Sequence, residues 1–122
     1  PKDTKSFAIT IFDQDAPTGS GWWHWLIFDV PSDITTLKAG AGNPDNKNAP
    51  DGCIQSLTDF KAYGYGGPCP TEGSGHHKYE VTIYALNVNK LGLDRSANPA
   101  LVGFMLNQHT IDKASLIFYY KR

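Results

Sequence analysis

Three runs of apolar and β-branched residues constrain the fold of this chain more than any other feature. They extend from Ser6 to Asp13, from Trp22 to Val30 and from Lys78 to Leu86, and Gly- and Pro-rich segments separate them. In the first run both odd and even positions are apolar, which is typical of a central strand buried on two faces. A further apolar run, Ala114 to Tyr120, predicts a last strand. The pattern therefore predicts a mainly β protein.

The segments between these runs predict little helix. Asn98 and Pro99 match an N-cap and a first helical position, and Ala100 to Leu106 is apolar enough to form a short buried helix. The stretch from Ser32 to Ala62 is polar and predicts a long surface excursion, and loops of this length are usually functional. Strands joined by irregular loops, with one or two short helices, favour an antiparallel or mixed β-sandwich.

Length and charge exclude several classes of protein. The 122 residues leave room for one core and hence one domain. Eleven basic and twelve acidic residues are scattered without a basic stripe, so nucleic acid is not an expected partner. No apolar run approaches the roughly 20 residues of a transmembrane helix. The chain is expected to be soluble, with the cytoplasm and the periplasm both open.

The two cysteines, Cys53 and Cys69, lie in Gly- and Pro-rich sequence. One interpretation is a disulfide that joins two loops in an oxidising compartment. The other is a pair of thiols in a reducing cytoplasm. The spacing of the two residues leaves both interpretations open.

Polar side chains lie at the ends of the three apolar runs. Asp13 and Asp15 follow the first run, His24 lies near the start of the second, and His77 and Tyr79 open the third. The side-chain period of two puts His77 and Tyr79 on the same face of their strand. If the three strands are neighbours, these groups converge.

Such a group of side chains suits a small anion. Two imidazoles, a phenol and the backbone amides of Gly66 and Gly67 would form a nest for an oxyanion such as phosphate. The carboxylate of Asp13 would not bind the anion directly, and its expected role is to orient a histidine. The sequence therefore predicts an anion-binding pocket.

Each of these residues also fits a structural role. His24 lies in a Trp-rich strand, where a hydrogen-bonded structural histidine is common, and period two places it on the face of Trp22 and Leu26. Asp13 and Asp15 fit an Asx-turn. The cluster of tryptophans is more typical of core and rim packing than of a ligand platform.

Metal and nucleophilic sites are disfavoured. His76 and His77 are adjacent in a strand and would point to opposite faces, and the chain has no HExxH pair or paired-cysteine knuckle. The serines at positions 20, 56 and 74 lack a nucleophile elbow, and Cys69 lies between two prolines. No metal, no cofactor and no catalytic residue is predicted.

Four motifs occur in a fixed order: DQDAP at 13–17, WHWL at 23–26, GGPCP at 66–70 and HKY at 77–79. In this order they resemble the phosphatidylethanolamine-binding protein (PEBP) family, also called the Raf-kinase-inhibitor-like family, and in particular its bacterial and archaeal branch. The resemblance covers nearly the whole chain, from about Ser6 to Tyr120. It implies a β-sandwich with a Greek-key element and a shallow pocket for phosphate or a phosphorylated headgroup.

The resemblance also implies which residues line the pocket. Carried over by motif, they are Asp13, Asp15, His24, Gly67, Pro68, Pro70, His77 and Tyr79. Gln14 and Lys78 depart from the proline and arginine usual at these positions. Family members usually carry further N-terminal sequence, so residues 1–122 are expected to form one PEBP-like domain without that segment.

Three hypotheses of function follow. The first is a regulatory module that binds an anionic or phosphorylated group without turnover, with a kinase- or protease-inhibitor-like role that the family resemblance suggests. The alternative is a protein-interaction module whose partner, a kinase or a protease, is engaged by the pocket or by residues 32–62. The third is a hydrolase that uses His24 and His77 as acid and base near Asp13.

Overall fold

The computed structural model of the chain describes residues 2–16, 18, 21–43, 45, 47–66 and 77–120. The described elements are β1 (Ser6–Asp13), β2 (Trp22–Pro31), β3 (Ile54–Gln55), β4 (His77–Leu86), α1 (Pro99–His109) and β5 (Thr110–Tyr120). The strands form one antiparallel sheet in the order β3-β2-β1-β4-β5. The predicted mainly β class is confirmed, and the described strands all belong to this single sheet.

Strand β1 lies in the middle of the sheet, as its apolar pattern predicts. It pairs with β2 on one side and with β4 on the other, along its whole length. Ala8 is fully buried, while Phe7 and Ile9 on the opposite face are partly buried. A central strand needs apolar residues on both faces, and this requirement made its bounds readable from the sequence.

Helix α1 packs on one face of the sheet. The side chain of Asn98 accepts a hydrogen bond from the Leu101 amide at 2.9 Å, and Pro99 occupies the first turn, as predicted. The helix continues past the predicted Leu106 to His109, because the intervening residues include neither Gly nor Pro. The core on this face consists of Ala8, Leu26, Phe28, Leu86, Leu91, Ala97, Val102 and Leu106. Within the described residues, no helix has both the length and the apolar character needed to cross a bilayer.

The opposite side of the sheet, here called the open face, carries a second apolar cluster. Its buried members are Trp25, Ile27 and Val30. The loop after β2 covers part of this cluster and is tied down by Gln55, which accepts a hydrogen bond from Trp25 Nε1 at 2.7 Å and donates one to the Asn43 carbonyl at 2.8 Å. The excursion predicted for residues 32–62 is therefore partly core, and it contains β3, which the sequence did not indicate.

Strand β5 begins at Thr110, before the predicted Ala114. It lies at one edge of the described sheet, opposite β3, and its first residues pair with the end of β4. Asp112 and Lys113 are exposed to solvent at this edge, so the strand does not need apolar side chains at these positions. An edge strand can thus begin in polar sequence that carries no strand pattern.

Strand β2 contains a bulge at Asp29. The register between β1 and β2 shifts here, and Asp29 adopts a φ of 59°. Its side chain is buried and accepts a hydrogen bond from the Leu91 amide at 2.9 Å. Burial raises the pKa of Asp29, while the hydrogen bond from Leu91 and the charge of Lys90 act in the opposite direction.

We expect Asp29→Asn to raise the free energy of unfolding at pH 7. A carboxyl whose pKa is higher in the folded chain stabilises the fold at low pH and loses that contribution as the pH rises through the folded pKa. Asparagine removes the buried charge, keeps an acceptor for Leu91 and tolerates positive φ. The gain should vanish near about pH 3, where the aspartate is protonated in both states.

Urea unfolding at both pH values measures this effect. Asp29→Ala is the control: it removes the acceptor for the Leu91 amide and should cost about 2 kcal/mol at pH 7. An Asp29→Asn protein less stable than wild type at pH 7 would show that the charge of Asp29 contributes to stability.

Candidate functional site

The last residue of β1 and the first residue of β4 form a buried hydrogen-bonded pair. Asp13 Oδ2 lies 2.7 Å from His77 Nδ1, and each residue is only 3% exposed. A carboxylate oxygen accepts hydrogen bonds, so Nδ1 is the donor and its tautomer is fixed by this contact. Asp13 therefore orients the ring of His77, although 64 positions separate the two residues.

The other oxygen of Asp13 organises the loop that follows β1. Oδ1 accepts a hydrogen bond from the Asp15 amide at 2.9 Å, which is the Asx-turn geometry. Asp15 is exposed, and its own carboxylate accepts a hydrogen bond from the Lys78 amide at 2.7 Å. The predicted Asx-turn at Asp13 is present, and the same carboxylate contacts His77. Asp15 instead joins the loop to β4 through the Lys78 amide.

His24 is held by a backbone segment that lies far from it in sequence. Its Nδ1 lies 2.8 Å from the Gly66 carbonyl oxygen, and since a carbonyl can only accept, Nδ1 donates. The Gly66 amide in turn donates to the His24 carbonyl at 2.9 Å. These two hydrogen bonds with Gly66 fix the imidazole, and Nε2 is then the ring nitrogen that could contact a ligand.

Tyr79 joins the two histidines. It pairs with Asp13 across β1 and β4, and it is 1% exposed. Its ring centroid lies 5.2 Å from that of His24 and 6.5 Å from that of His77. Phe118, which lies on the neighbouring strand β5, stacks on Tyr79 with the two ring centroids 5.1 Å apart. The structure thus brings together Asp13, His24, His77 and Tyr79, here called the His–Tyr cluster.

The face assigned to His24 from strand periodicity is only half right. The residues on either side of His24 pair with consecutive residues of β1, so His24 is the extra residue of a bulge. As a result Trp25 joins the cluster on the open face, while Leu26 lies in the core under the helix. His24 shares the open face with Trp22, as predicted, but not with Leu26, because a bulge shifts the alternation of side chains.

The predicted nest of glycine amides needs a correction at Gly66. Its amide donates to the His24 backbone carbonyl and is not directed at a ligand. The contribution of Gly66 is its carbonyl, which orients the imidazole. The other loop residues assigned to the pocket, Gly67, Pro68 and Pro70, lie outside the described residues.

One of the two cysteines lies within the described residues. Cys53 has a half-buried thiol beside the apolar cluster of the open face, and burial raises the pKa of that thiol. Cys69 lies outside the described residues. The disulfide between Cys53 and Cys69 stays a prediction.

Phe60 belongs to the surroundings of the site and was missed from the sequence. Its ring centroid lies 5.3 Å from that of His24 and 5.4 Å from that of Trp22, both in edge-to-face geometry. The signal that could have revealed it is the group of aromatic residues Phe60, Tyr63 and Tyr65 within an otherwise polar stretch. Rings around an imidazole exclude water and so strengthen its electrostatic interactions.

The chemistry of the His–Tyr cluster suits an anion. Because Nδ1 of each histidine already donates to a protein oxygen, Nε2 can donate to an oxyanion only when the ring is protonated, and hydrogen bonds from such a cation are short and strong. The phenol of Tyr79 is a further hydrogen-bonding group of the cluster. Within the described ranges, His, Cys, Asp and Glu side chains do not come together in threes as metal ligands would.

The described chain is thus a five-stranded antiparallel sheet with a helix packed on one face and a buried cluster of Asp, His and Tyr side chains on the other. A family profile described as phosphatidylethanolamine-binding protein matches residues 1–121. The chain belongs to this family, and the resemblance seen in its four motifs is confirmed.

Bacterial relatives support the same assignment. The chain is 43% identical to the UPF0098 protein YbcL of Escherichia coli over 121 residues, which are 99% of this chain and 66% of YbcL. It is 42% identical to E. coli YbhB over 116 residues, covering 95% of this chain and 72% of YbhB. The chain therefore spans about two thirds of the length of YbcL.

Solved structures agree with the sheet topology. The crystal structure of E. coli YbcL, described as a new member of the mammalian PEBP family, superposes with a TM-score of 0.97 and covers 100% of this chain and 74% of that one. The PEBP homologue CT736 of Chlamydia trachomatis has a TM-score of 0.80 at 24% identity, covering 100% and 75% of the two chains. This second likeness concerns the fold alone.

Proposed function

We propose that the chain binds a small phosphorylated anion at the His–Tyr cluster and acts as a regulatory binding module without turnover. The observation that carries the proposal is that two neighbouring imidazoles are each held in a fixed orientation by the protein. His24 and His77 are each fixed through Nδ1, and both lie against the ring of Tyr79. Donors that are oriented before binding lose little freedom when an anion arrives, which favours affinity.

The negative charge of Asp13 is compatible with this role. Its two carboxylate oxygens accept hydrogen bonds from His77 and from the Asp15 amide, so the carboxylate is directed at these groups. The family's description names a phospholipid whose headgroup carries phosphate, which supports a phosphate-type ligand. The burial of the cluster supports a competing interpretation as well, in which the four side chains are a purely structural network.

A titration with inorganic phosphate distinguishes the two interpretations. In protein with 15N-labelled histidines, we expect the ring resonances of His24 and His77 to shift together and to saturate. His109, which contacts Asn87 at the end of the helix, should not move and serves as an internal reference. His77→Ala should abolish the response of His24, because the two rings would share one anion, whereas His109→Ala should leave it intact.

The failure of this experiment is equally informative. If His24 and His77 do not respond to phosphate, the cluster is structural, and a protein partner such as a kinase or a protease becomes the first hypothesis. Hydrolysis of p-nitrophenyl phosphate by wild type, lost in His77→Ala, would replace the binding module by an enzyme.

A further inference from the structure

An aromatic cleft of about 280 Å³ lies directly beside His24. It is lined by the segment from Thr58 to Gly66, and two of its lining residues, Phe60 and Gly66, also contact the imidazole. The cleft and the His–Tyr cluster therefore share a wall. Phe60 is 43% exposed and Tyr65 is 40% exposed, so aromatic surface faces solvent within this concavity.

The loop that forms the cleft is held in place before any ligand arrives. Asp59 accepts a hydrogen bond from the Trp23 amide at 2.8 Å, and its own amide donates to the Trp23 carbonyl at 3.2 Å. The Tyr65 amide donates to the Gly42 carbonyl at 2.7 Å. Anchors at both ends fix Phe60 relative to His24, so the aromatic surface is preorganised.

A second aromatic wall is fixed by a cation. The guanidinium carbon of Arg95 lies 4.4 Å from the centroid of the Tyr63 ring, which lines the cleft. Such a contact is a cation–π interaction and restrains the ring. Arg95 also accepts a hydrogen bond at its carbonyl from the Leu57 amide at 3.0 Å. The cleft thus has restrained walls on two sides.

We propose that this cleft is a subsite for the organic substituent of the anion, so that the ligand is a phosphomonoester of an aromatic or apolar alcohol. The proposal rests on the proposed function, because the phosphate group must lie at His24 for the substituent to reach Phe60. Apolar cavities of about 150 Å³ admit benzene, so a phenyl ring fits the available space. Aromatic pairs in edge-to-face or offset geometry add to the affinity gained from burial alone.

The test compares phenyl phosphate with methyl phosphate by isothermal titration calorimetry. Both carry the same ester linkage, and they differ in the group that would occupy the cleft. We expect wild type to bind phenyl phosphate about tenfold more tightly than methyl phosphate. Phe60→Ala should bring this ratio of dissociation constants close to one. Phe104→Ala, which removes an exposed phenyl ring from the helix, should leave the ratio unchanged.

A second variant protects the test from an indirect effect of Phe60 on His24. Ala62 lines the cleft and is exposed, and Ala62→Leu fills the cleft while the contact between Phe60 and His24 remains. This variant should also lose the preference for phenyl phosphate. A wild-type ratio near one, or a preference that survives both Phe60→Ala and Ala62→Leu, overturns the subsite while leaving phosphate binding in place. If inorganic phosphate does not bind at all, the proposed function fails and the subsite fails with it.

Discussion

Replacing Asp13 with alanine should lower the free energy of unfolding by about 3–5 kcal/mol, because it removes one partner of a buried polar pair. Both oxygens of the carboxylate are used, one by His77 Nδ1 and one by the Asp15 amide. Alanine leaves the Nδ1 donor of His77 and the Asp15 amide without this acceptor, and it removes the contact with Asp13 that orients the His77 ring. The variant should therefore lose phosphate binding as well as stability.

Asp13→Asn separates the two effects. Its Oδ1 still accepts from the Asp15 amide, but its NH2 group meets the donor Nδ1 of His77, so the loss of stability should be smaller, about 1–2 kcal/mol. Urea unfolding followed by tryptophan fluorescence measures both variants. Asp33→Ala, at an exposed aspartate, is the control and should leave the midpoint unchanged. If Asp13→Ala unfolds at the wild-type midpoint, the carboxylate does not hold His77 in solution.

The sheet and the approximate location of the site could be predicted because they depend on local patterns. Strand β1 is buried on one face and partly buried on the other, and its short run of apolar residues on both faces favours a central strand. Asn98 and Pro99 predicted the start of the helix, because an N-cap side chain bonds to a backbone amide only a few residues away in the sequence. The polar residues at the strand ends were visible as departures from the same apolar pattern. Antiparallel pairing of β1 with β4 then places Asp13 opposite Tyr79.

The remaining features depend on contacts between distant segments, which no local pattern shows. At the bulge, Trp23 and Trp25 pair with the consecutive β1 residues Phe12 and Ile11, so His24 has no opposite residue in β1. The extra residue moves the residues after His24 to the opposite face from the one that a period of two predicts. The two-residue strand β3 is stabilised by pairing with β2 and by the hydrogen bonds of Gln55. The contact of Gly66 with His24 spans 42 positions. Phe60 lies next to His24 because it belongs to the same loop as Gly66.

The predicted convergence of side chains is therefore observed, whereas the predicted direction of one backbone amide is wrong. The side chains of His24, His77 and Tyr79 were expected to converge, and the structure brings them together. The amide of Gly66 was expected to face a ligand, yet a strand-like contact with His24 uses it. The acceptor of a backbone amide depends on which distant segment pairs with it, so the presence of glycines in the sequence does not show where their amides point.

Replacing Gly21 with alanine should destabilise the protein by about 3 kcal/mol or more and should disturb the His–Tyr cluster. Gly21 has a φ of 75°, a conformation that costs an L-residue about 1–2 kcal/mol. An added Cβ would also overlap the ring of Phe12 and lie 2.9 Å from the Asp13 carbonyl oxygen, and overpacking costs about 1–3 kcal/mol more. Because the crowded backbone belongs to Asp13, the ring resonance of His77 should shift in this variant.

Gly92→Ala is the matched control for this prediction. Gly92 has a φ of 80°, and an added Cβ there would meet no atom within 4 Å. It should therefore show the backbone cost alone, about 1–2 kcal/mol, with no change at His77. The difference between the free energies of unfolding lost in the two variants measures the packing of Gly21 against Phe12 and Asp13 at the end of β1. We expect this packing to set the position of Asp13. Equal losses in Gly21→Ala and Gly92→Ala would show that this turn yields without moving the strand end, and that the site does not depend on its packing.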